Sequence, residues 1–568
     1  MSAYHCTHTV GRWETPWIML SELNLSGIQD AHARRCLVML LNLVEDLQQE
    51  NHQLQEENQR LRDEINRLKG EQGQPKIKRN TPPLPASTDY SSERERHTPK
   101  KWSKERKGET IRIDREQVLA VDPLTLPPDA TFKGYEAVVV QDVILRTDNV
   151  CFHKEKYHSP AEGKIYVAPL PRGYGGQFGP GIKALTIVLY FAAQMSEPKI
   201  LELYRSVGVE VSDGQVSKWL IKDQERFHAE KAAVYASGLH SSPWQHLDET
   251  STRVNGQNQH CHIVCNPLYT AYFTTKSKDR QTVIDVLRNG QARTFRVNAE
   301  ALRYLEHVGL SRGTRQQLTQ LPWEQTLDEA TIVHLLARHL PHLGPQQRKW
   351  ILNATAVAAY HMEEAFPVVK LLVCDDAPQF TWVTEELALC WVHEGRHYKK
   401  LLPYVTYHRK LLDDFRRCFW DYYAELLVYR QAPTEEGCAR LAAQFDALFK
   451  TKTGYDALDD RIAKTKAKKR YLLMVLEHPE IPLHNNPAEL GARVRVRKRD
   501  VSFGPRTGDG AKAWDTFMTL AATATKLGVS FYDYIHDRIS GTNQLPGLDR
   551  MIEAQAKPLN LGASWSTP

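Results

Sequence analysis

Residues 366–380 read FPVVKLLVCDDAPQF. From Val368 to Cys374 the run is almost continuously apolar, the pattern of a strand buried on both faces. It stops abruptly at Asp375, Asp376 and then Pro378. Acids at the carboxyl end of a buried strand lie where open α/β sheets usually place ligands. A pair of aspartates there also suits a helix cap or a solvated loop, so its meaning depends on what other acids the chain can bring to it.

Two further segments supply them. SSPWQHLDETSTRVNG (241–256) places Asp248 in an extended stretch. The turn NGQN and two alternating stretches, HCHIVCN and YTAYFTT, follow it. This is a three-stranded meander with an acid on its first strand. His260, Cys261, His262 and Cys265 alternate across that meander's faces, so they read as strand residues rather than a zinc set. HNNPAELGARVRVRKRD (484–500) begins a helix, with an Asn as cap and Pro487 in the first turn. Glu489 then falls in the first turn, with Arg493 one turn later on the same face. Arg495, Arg497, Lys498 and Arg499 follow. Acids on two strands and one helix can converge on a point. Three such carboxylates suit hard divalent ions, Mg²⁺ or Mn²⁺. Two ions about 4 Å apart can activate water or a 3′-hydroxyl and stabilise the leaving oxygen of a phosphodiester. The basic residues have a reason in that setting, since they hold a polyanionic backbone beside the ions.

The remainder of the 568 residues divides by pattern. Hydrophobic residues at 41% and charged residues at 25% are ordinary globular values, which exclude a disordered or membrane-embedded chain. The length suggests roughly three or four domains. Residues 1–36 form an N-terminal segment without a secretory signal pattern. Over 37–69, Leu40, Leu47, Leu54, Leu61 and Leu68 recur every seven residues, with Leu37, Val44, Asn51, Asn58 and Ile65 three before each. That is the pattern of a parallel two-stranded coiled coil, and it predicts a homodimer or a higher oligomer. Residues 70–109 are a Pro-, Ser- and Lys/Arg-rich linker that buries too little apolar surface to fold. Alternation in YEAVVVQDVIL and GKIYVAPLP predicts a small β-rich module over 110–170. Cys151, His153 and His158 lie close together there without a CxxC pair, so zinc is not expected. Over 171–240 two short helices flank a glycine turn at Gly208, the second (213–224) capped by Ser212, and suit a helix-turn-helix that reads DNA. Nine cysteines without regular close pairing indicate reduced thiols. The longest apolar run, ALTIVLYFAA, is well short of the ~20 residues a membrane span needs. A cytoplasmic, nucleoid-associated protein with no membrane contact is the expectation.

HLDET, CDDAPQF, LCWVHEGRHYKKL and LHNNPAELGARVRVRKRDVSFGPRTGDGAKAW together resemble DDE transposases of the bacterial insertion-sequence sixty-six family. The resemblance runs from the coiled coil to about residue 540. It implies a multi-domain α+β protein with an RNase H-like α/β catalytic core over 241–540. That core would carry helical insertions at about 291–365 and 385–480, with 541–568 as a tail. It implies catalysis and two-ion binding by Asp248, Asp375 and Glu489. Asp375 is chosen over Asp376 because Phe380 falls five residues later, as an aromatic does in the family pattern. It implies phosphate contacts by His393 and Arg396 beside the basic set Arg493, Arg495, Arg497, Lys498 and Arg499. Its partners are the element's terminal inverted repeats, target DNA and helper proteins of the same element. The family's cysteine-paired zinc module has no counterpart here beyond Cys151. Asp248 and Asp375 are 127 residues apart, with helical sequence between them. Two other functions suit the same residues: a metal-dependent nuclease that does not join strands, and a dimeric DNA-binding regulator that has lost catalysis.

Overall fold

The computed structural model describes residues 28–68, 111–174 and 176–565, so the predicted linker at 70–109 lies outside the described residues. Helix α1 (Ala31–Leu68) runs unbroken for 38 residues. Its heptad leucines Leu40, Leu47, Leu54 and Leu61 are all more than half exposed. A neighbouring stripe on its first half, Leu41, Asn42 and Glu45, is buried. The predicted β-rich module reduces to one hairpin, β1 (Lys156–Ser159) against β2 (Lys164–Val167). Val138, Val140, Val143 and Ile144 stay exposed, and no described strand pairs with them. β-Branched residues favour a strand only where a partner edge and a packing face exist.

Four helices follow: α2 (Pro180–Ile187), α3 (Glu197–Ser206), α4 (Asp213–Ile221) and α5 (Glu225–His240). Gly208 takes the left-handed conformation (φ +78°) between α3 and α4. Ser212 Oγ accepts from Gln215 N at the start of α4. This helix ends at Ile221, short of the expected 224, where Asp223 turns the backbone to φ +58°.

The central sheet is built from β3 (Trp244–Val254), β4 (Gln257–Asn266) and β5 (Tyr269–Thr275), joined by two tight turns. A helical excursion comes next: α6 (Arg280–Leu287), the short β6 (Phe295–Arg296), α7 (Ala299–His307), α8 (Arg312–Leu318), β7 (Thr326–Leu327) paired with β6, α9 (Glu329–His339) and α10 (Pro345–His361). The chain then returns as β8 (Leu371–Cys374) and β9 (Glu386–Leu389). Strand order is β5-β4-β3-β8-β9, antiparallel among the first three and parallel across β3-β8-β9. All four residues of β8 are buried, as the apolar run predicts.

A second helical group, α11 (Trp391–Lys399), α12 (Thr406–Gln431), α13 (Glu435–Leu448) and α14 (Asp456–Ala467), precedes α15 (Asn486–Ser502). The chain closes with α16 (Gly508–Lys526), α17 (Phe531–Ser540) and α18 (Leu548–Leu559). Gly491 lets α15 lie close on the sheet, since a Cβ there would stand 2.8 Å from Ile263 Cγ2. Helix α16 covers the edge strand β5. Asp515, Thr519 and Thr523, one turn apart on α16, accept the outward N–H groups of Thr274 (2.6 Å), Tyr272 (3.1 Å) and Thr270 (3.4 Å). An edge that would otherwise offer free donors to another chain is thereby closed. Helix α1 joins the body through Glu45, whose carboxylate accepts from Tyr404 N (2.6 Å), Val405 N (2.9 Å) and His408 Nδ1 (3.1 Å) at the start of α12.

Candidate active site

Strand pairing decides which aspartate faces Asp248. β3 and β8 run parallel with Trp244 opposite Leu371 and His246 opposite Val373. His246 and Val373 are 127 residues apart, the same offset that separates Asp248 from Asp375. Continued by two residues, this register sets the two acids side by side on adjacent strands, which lie about 4.8 Å apart. Asp376, one residue on, turns away. It pairs instead with Lys468 and lies 4.0 Å from His397. Burial opposes its charge, but Lys468 outweighs that effect and holds the Asp376 carboxyl below its ordinary range.

Glu489 is brought over this edge by a brace that the sequence pattern does not reveal. Asn485 caps α15 in position but not by its side chain, which makes no capping bond. Its Nδ2 donates to Leu247 O (2.8 Å), and its Oδ1 meets His246 Nδ1 (2.9 Å). The fully buried amide thus ties the helix start to the residues just before Asp248. Burial, with the nearby His484, pushes His246 down to about 3, so the ring is neutral and Nδ1–H donates to Asn485. From the other side, Asn485 N donates to Cys390 Sγ and Trp391 N to Leu483 O, docking α11 beside α15.

The acids feel one another. Asp248 is raised to about 7, first by burial and then by Asp375, Glu489 and Glu249, against a backbone N–H from Glu249. Glu489 is held by α11: Arg396 donates to its Oε2 at 2.9 Å. Its Oε1 lies 3.4 Å from His393 Nδ1, and neither atom has a hydrogen-bond partner. Burial lowers the pKa of His393, an effect Glu489 opposes and Arg396 reinforces. Cys390, His393 and Glu489 have potential ligand atoms within 4.8 Å of one another. Burial raises the Cys390 thiol to about 12, which keeps it neutral and a poor ligand for a hard ion. A buried carboxylate oxygen without a partner, beside two aspartates of which one resists ionisation, is a donor set that fits a divalent cation bound through oxygen.

The basic stretch divides. Arg493 and Arg497 are exposed, and Arg499 is partly so, donating to Ser251 O at 2.8 Å. Arg495 and Lys498, expected to contact DNA, are instead buried. Arg495 pairs with Asp515 (3.2 Å) and donates to Thr274 Oγ1 (2.7 Å). Lys498 Nζ stands 3.2 Å from the centre of the Tyr190 ring and donates to Met195 O (3.3 Å). Helical geometry forces this split, because a helix lying on a sheet turns every third or fourth residue inward. In the basic stretch 461–471, Arg461 and Lys468 likewise turn inward, onto the buried Glu394. Glu394, a hub the sequence analysis missed, gave no signal beyond its place one residue after His393.

Comparison with known proteins agrees with this layout. The model described as "Transposase IS66 family" matches residues 175–297 and 355–513. The stretch between them, 298–354, holds α7 to α9 and the first turns of α10. An "Uncharacterized protein y4jO" of Sinorhizobium fredii (strain NBRC 101917 / NGR234) is 29% identical over 321 residues, 56% of this chain and 99% of that protein. Both matched stretches include the strands and helices that carry Asp248, Asp375 and Glu489, and the chain belongs to the IS66 transposase family.

Proposed function

We propose that this transposase cuts and joins DNA at the ends of its element through a carboxylate trio, Asp248, Asp375 and Glu489, on an RNase H-like core. The observation that carries the reading is the β3–β8 register, which sets Asp248 level with Asp375 while Asn485 draws α15 over them. Three antiparallel strands continued by two parallel ones, with a helix laid on the sheet, support the RNase H-like assignment. The trio would hold two Mg²⁺ or Mn²⁺ ions. Such ions supply charge that stabilises both the attacking and the leaving oxygen of an in-line displacement. The chain's own groups do the rest. Arg396 holds Glu489 in the ion-free chain and offers its guanidinium to a phosphate once that carboxylate turns away. His393 is a neutral neighbour able to donate to a phosphate oxygen. Arg493 and Arg497 hold the backbone beside the trio. Helices α3 and α4 suit recognition of terminal repeats, and the exposed leucines of α1 suit pairing with a second copy. No described helix is long and apolar enough to cross a membrane. With the free cysteines among the described residues, this supports action in the cytoplasm on nucleoid DNA, with helper proteins of the element as partners.

Strand transfer with labelled element ends tests the reading. Glu489→Ala and Asp248→Ala should each lose cleavage and joining by more than a thousandfold, the scale of losing one member of a cooperating set, and keep end binding. Asp376→Ala should retain both steps. Joining by Glu489→Ala at the wild-type rate would remove the assignment. Cleavage without joining by the wild-type chain would identify a nuclease instead.

A further inference from the structure

The end of α15 opposite Glu489 presents Phe503. It is 88% exposed and caps the helix in the left-handed conformation (φ +57°). Both facts are unfavourable for phenylalanine. Glycine or asparagine normally takes that cap, and large aromatics are mostly buried. The loop around it is nonetheless rigidly braced. Gly504 (φ +87°) lies so close to β3 that a Cβ would stand 2.5 Å from Arg253 O. Asn255 N donates to Pro505 O at 2.9 Å, and Arg499 reaches back to Ser251 O at 2.8 Å. The ring is therefore held outward by three contacts with the strand and turn that continue from Asp248.

Its surroundings are cationic. Arg253, Arg497 and Arg506 are exposed nearby. The acids of the same loop are already engaged, Asp500 by Arg499 at 3.3 Å and Asp509 by Lys222 at 3.1 Å. An apolar tip among free arginines suits nucleic acid better than protein, since apolar wedges enter base steps where cations hold the flanking phosphates. Arg253, against which the loop packs, lies five residues beyond Asp248, about 17 Å along an extended strand. That spacing corresponds to about five base pairs at 3.4 Å each.

On the proposed function given above, we propose that Phe503 is an apolar wedge that unstacks one base step of DNA lying along α15, about five base pairs from the bond to be cut. Its test uses the full chain without divalent ions, so that no strand is cut and the result is independent of the catalytic trio. The probes are two duplexes, identical except that one carries a mismatched step flanked by 2-aminopurine. A mismatch lowers the unstacking cost, so wild type should prefer that duplex by about tenfold, within the range of one base–aromatic stack, and brighten its 2-aminopurine. Phe503→Ala should bind both duplexes equally, with the wild-type salt dependence and no brightening. Phe503→Trp should keep the preference. Preference and brightening retained by Phe503→Ala would overturn the proposal, as would a wild-type chain that binds both duplexes equally. Failure of wild type to bind either duplex would overturn the DNA reading along with it. Loss of cleavage in Glu489→Ala with its mismatch preference intact would leave the wedge standing apart from the chemistry.

Discussion

Asp248 carries opposite demands of folding and of ion binding. Its folded pKa, raised to about 7 by burial and neighbouring acids, lies above its ordinary value of 3.8. Between those values the folded chain binds more protons than the unfolded one, so stability falls as pH rises from about 4 to about 7. Above pH 7 the full cost remains, and only a cation relieves it. Asp248→Asn should therefore melt higher than wild type at pH 8 without divalent ions. The gain should be at least about 2–4 °C, the shift expected from about 1 kcal/mol in a domain of this size, and it should shrink as pH falls toward 4. Mn²⁺ should raise the melting point of wild type and leave the variant unmoved. The arginines of α15 separate in the same way. Arg493→Ala and Arg497→Ala should each lower the salt dependence of DNA binding by about one ion without loss of stability. Arg495→Ala leaves Asp515 buried and unpaired, and should destabilise the chain by about 3–5 kcal/mol, read as a lower denaturant midpoint.

Elements differed in how far the sequence revealed them. The apolar run of β8 announced a strand buried on both faces, because its pattern needs no partner to be read. The meander β3–β5 was equally legible from its turns and alternation. Asp375 was separable from Asp376 in the sequence only by the family pattern, since the physical discriminator is the β3–β8 register, a contact across 127 residues. Tyr135–Leu145 misled for the reverse reason: its composition favours a strand, and the edge it needs is absent among the described strands. Arg495 and Lys498 looked like members of a uniform basic stretch, and only the face of α15 that meets the sheet assigns them inward. Asn485 could not be foreseen, because a buried amide brace has no periodic signature. For α1 the heptads were plain, but the docking of its first half through Leu41 and Glu45 was not. That docking leaves Leu47, Leu54 and Leu61 free for a second copy. Leu54→Lys should convert the dimer seen by light scattering into a monomer while the melting of the body stays unchanged. A monomeric wild type would remove the coiled coil.

At the scale of the whole molecule, segments far apart in sequence are gathered to one sheet edge. Asp248 arrives on β3, Asp375 after the excursion α6–α10, and Glu489 after the group α11–α14. The helical excursions enter and leave next to the acids, so they can shape the approach of DNA without altering the sheet that fixes the trio. Terminal tyings act likewise: Glu45 attaches α1 to the start of α12, and Ser564 packs its hydroxyl against Glu480 (2.8 Å) at the other end of the chain. The central claim is that Asp248, Asp375 and Glu489 meet around a hard cation. Anomalous diffraction from crystals soaked in Mn²⁺ tests it most directly. The account predicts manganese peaks about 2.1 Å from carboxylate oxygens of all three residues, near the ligand distance of a hard divalent ion. Manganese bound by Glu489 and His393 with both aspartates left outside its coordination sphere would contradict it.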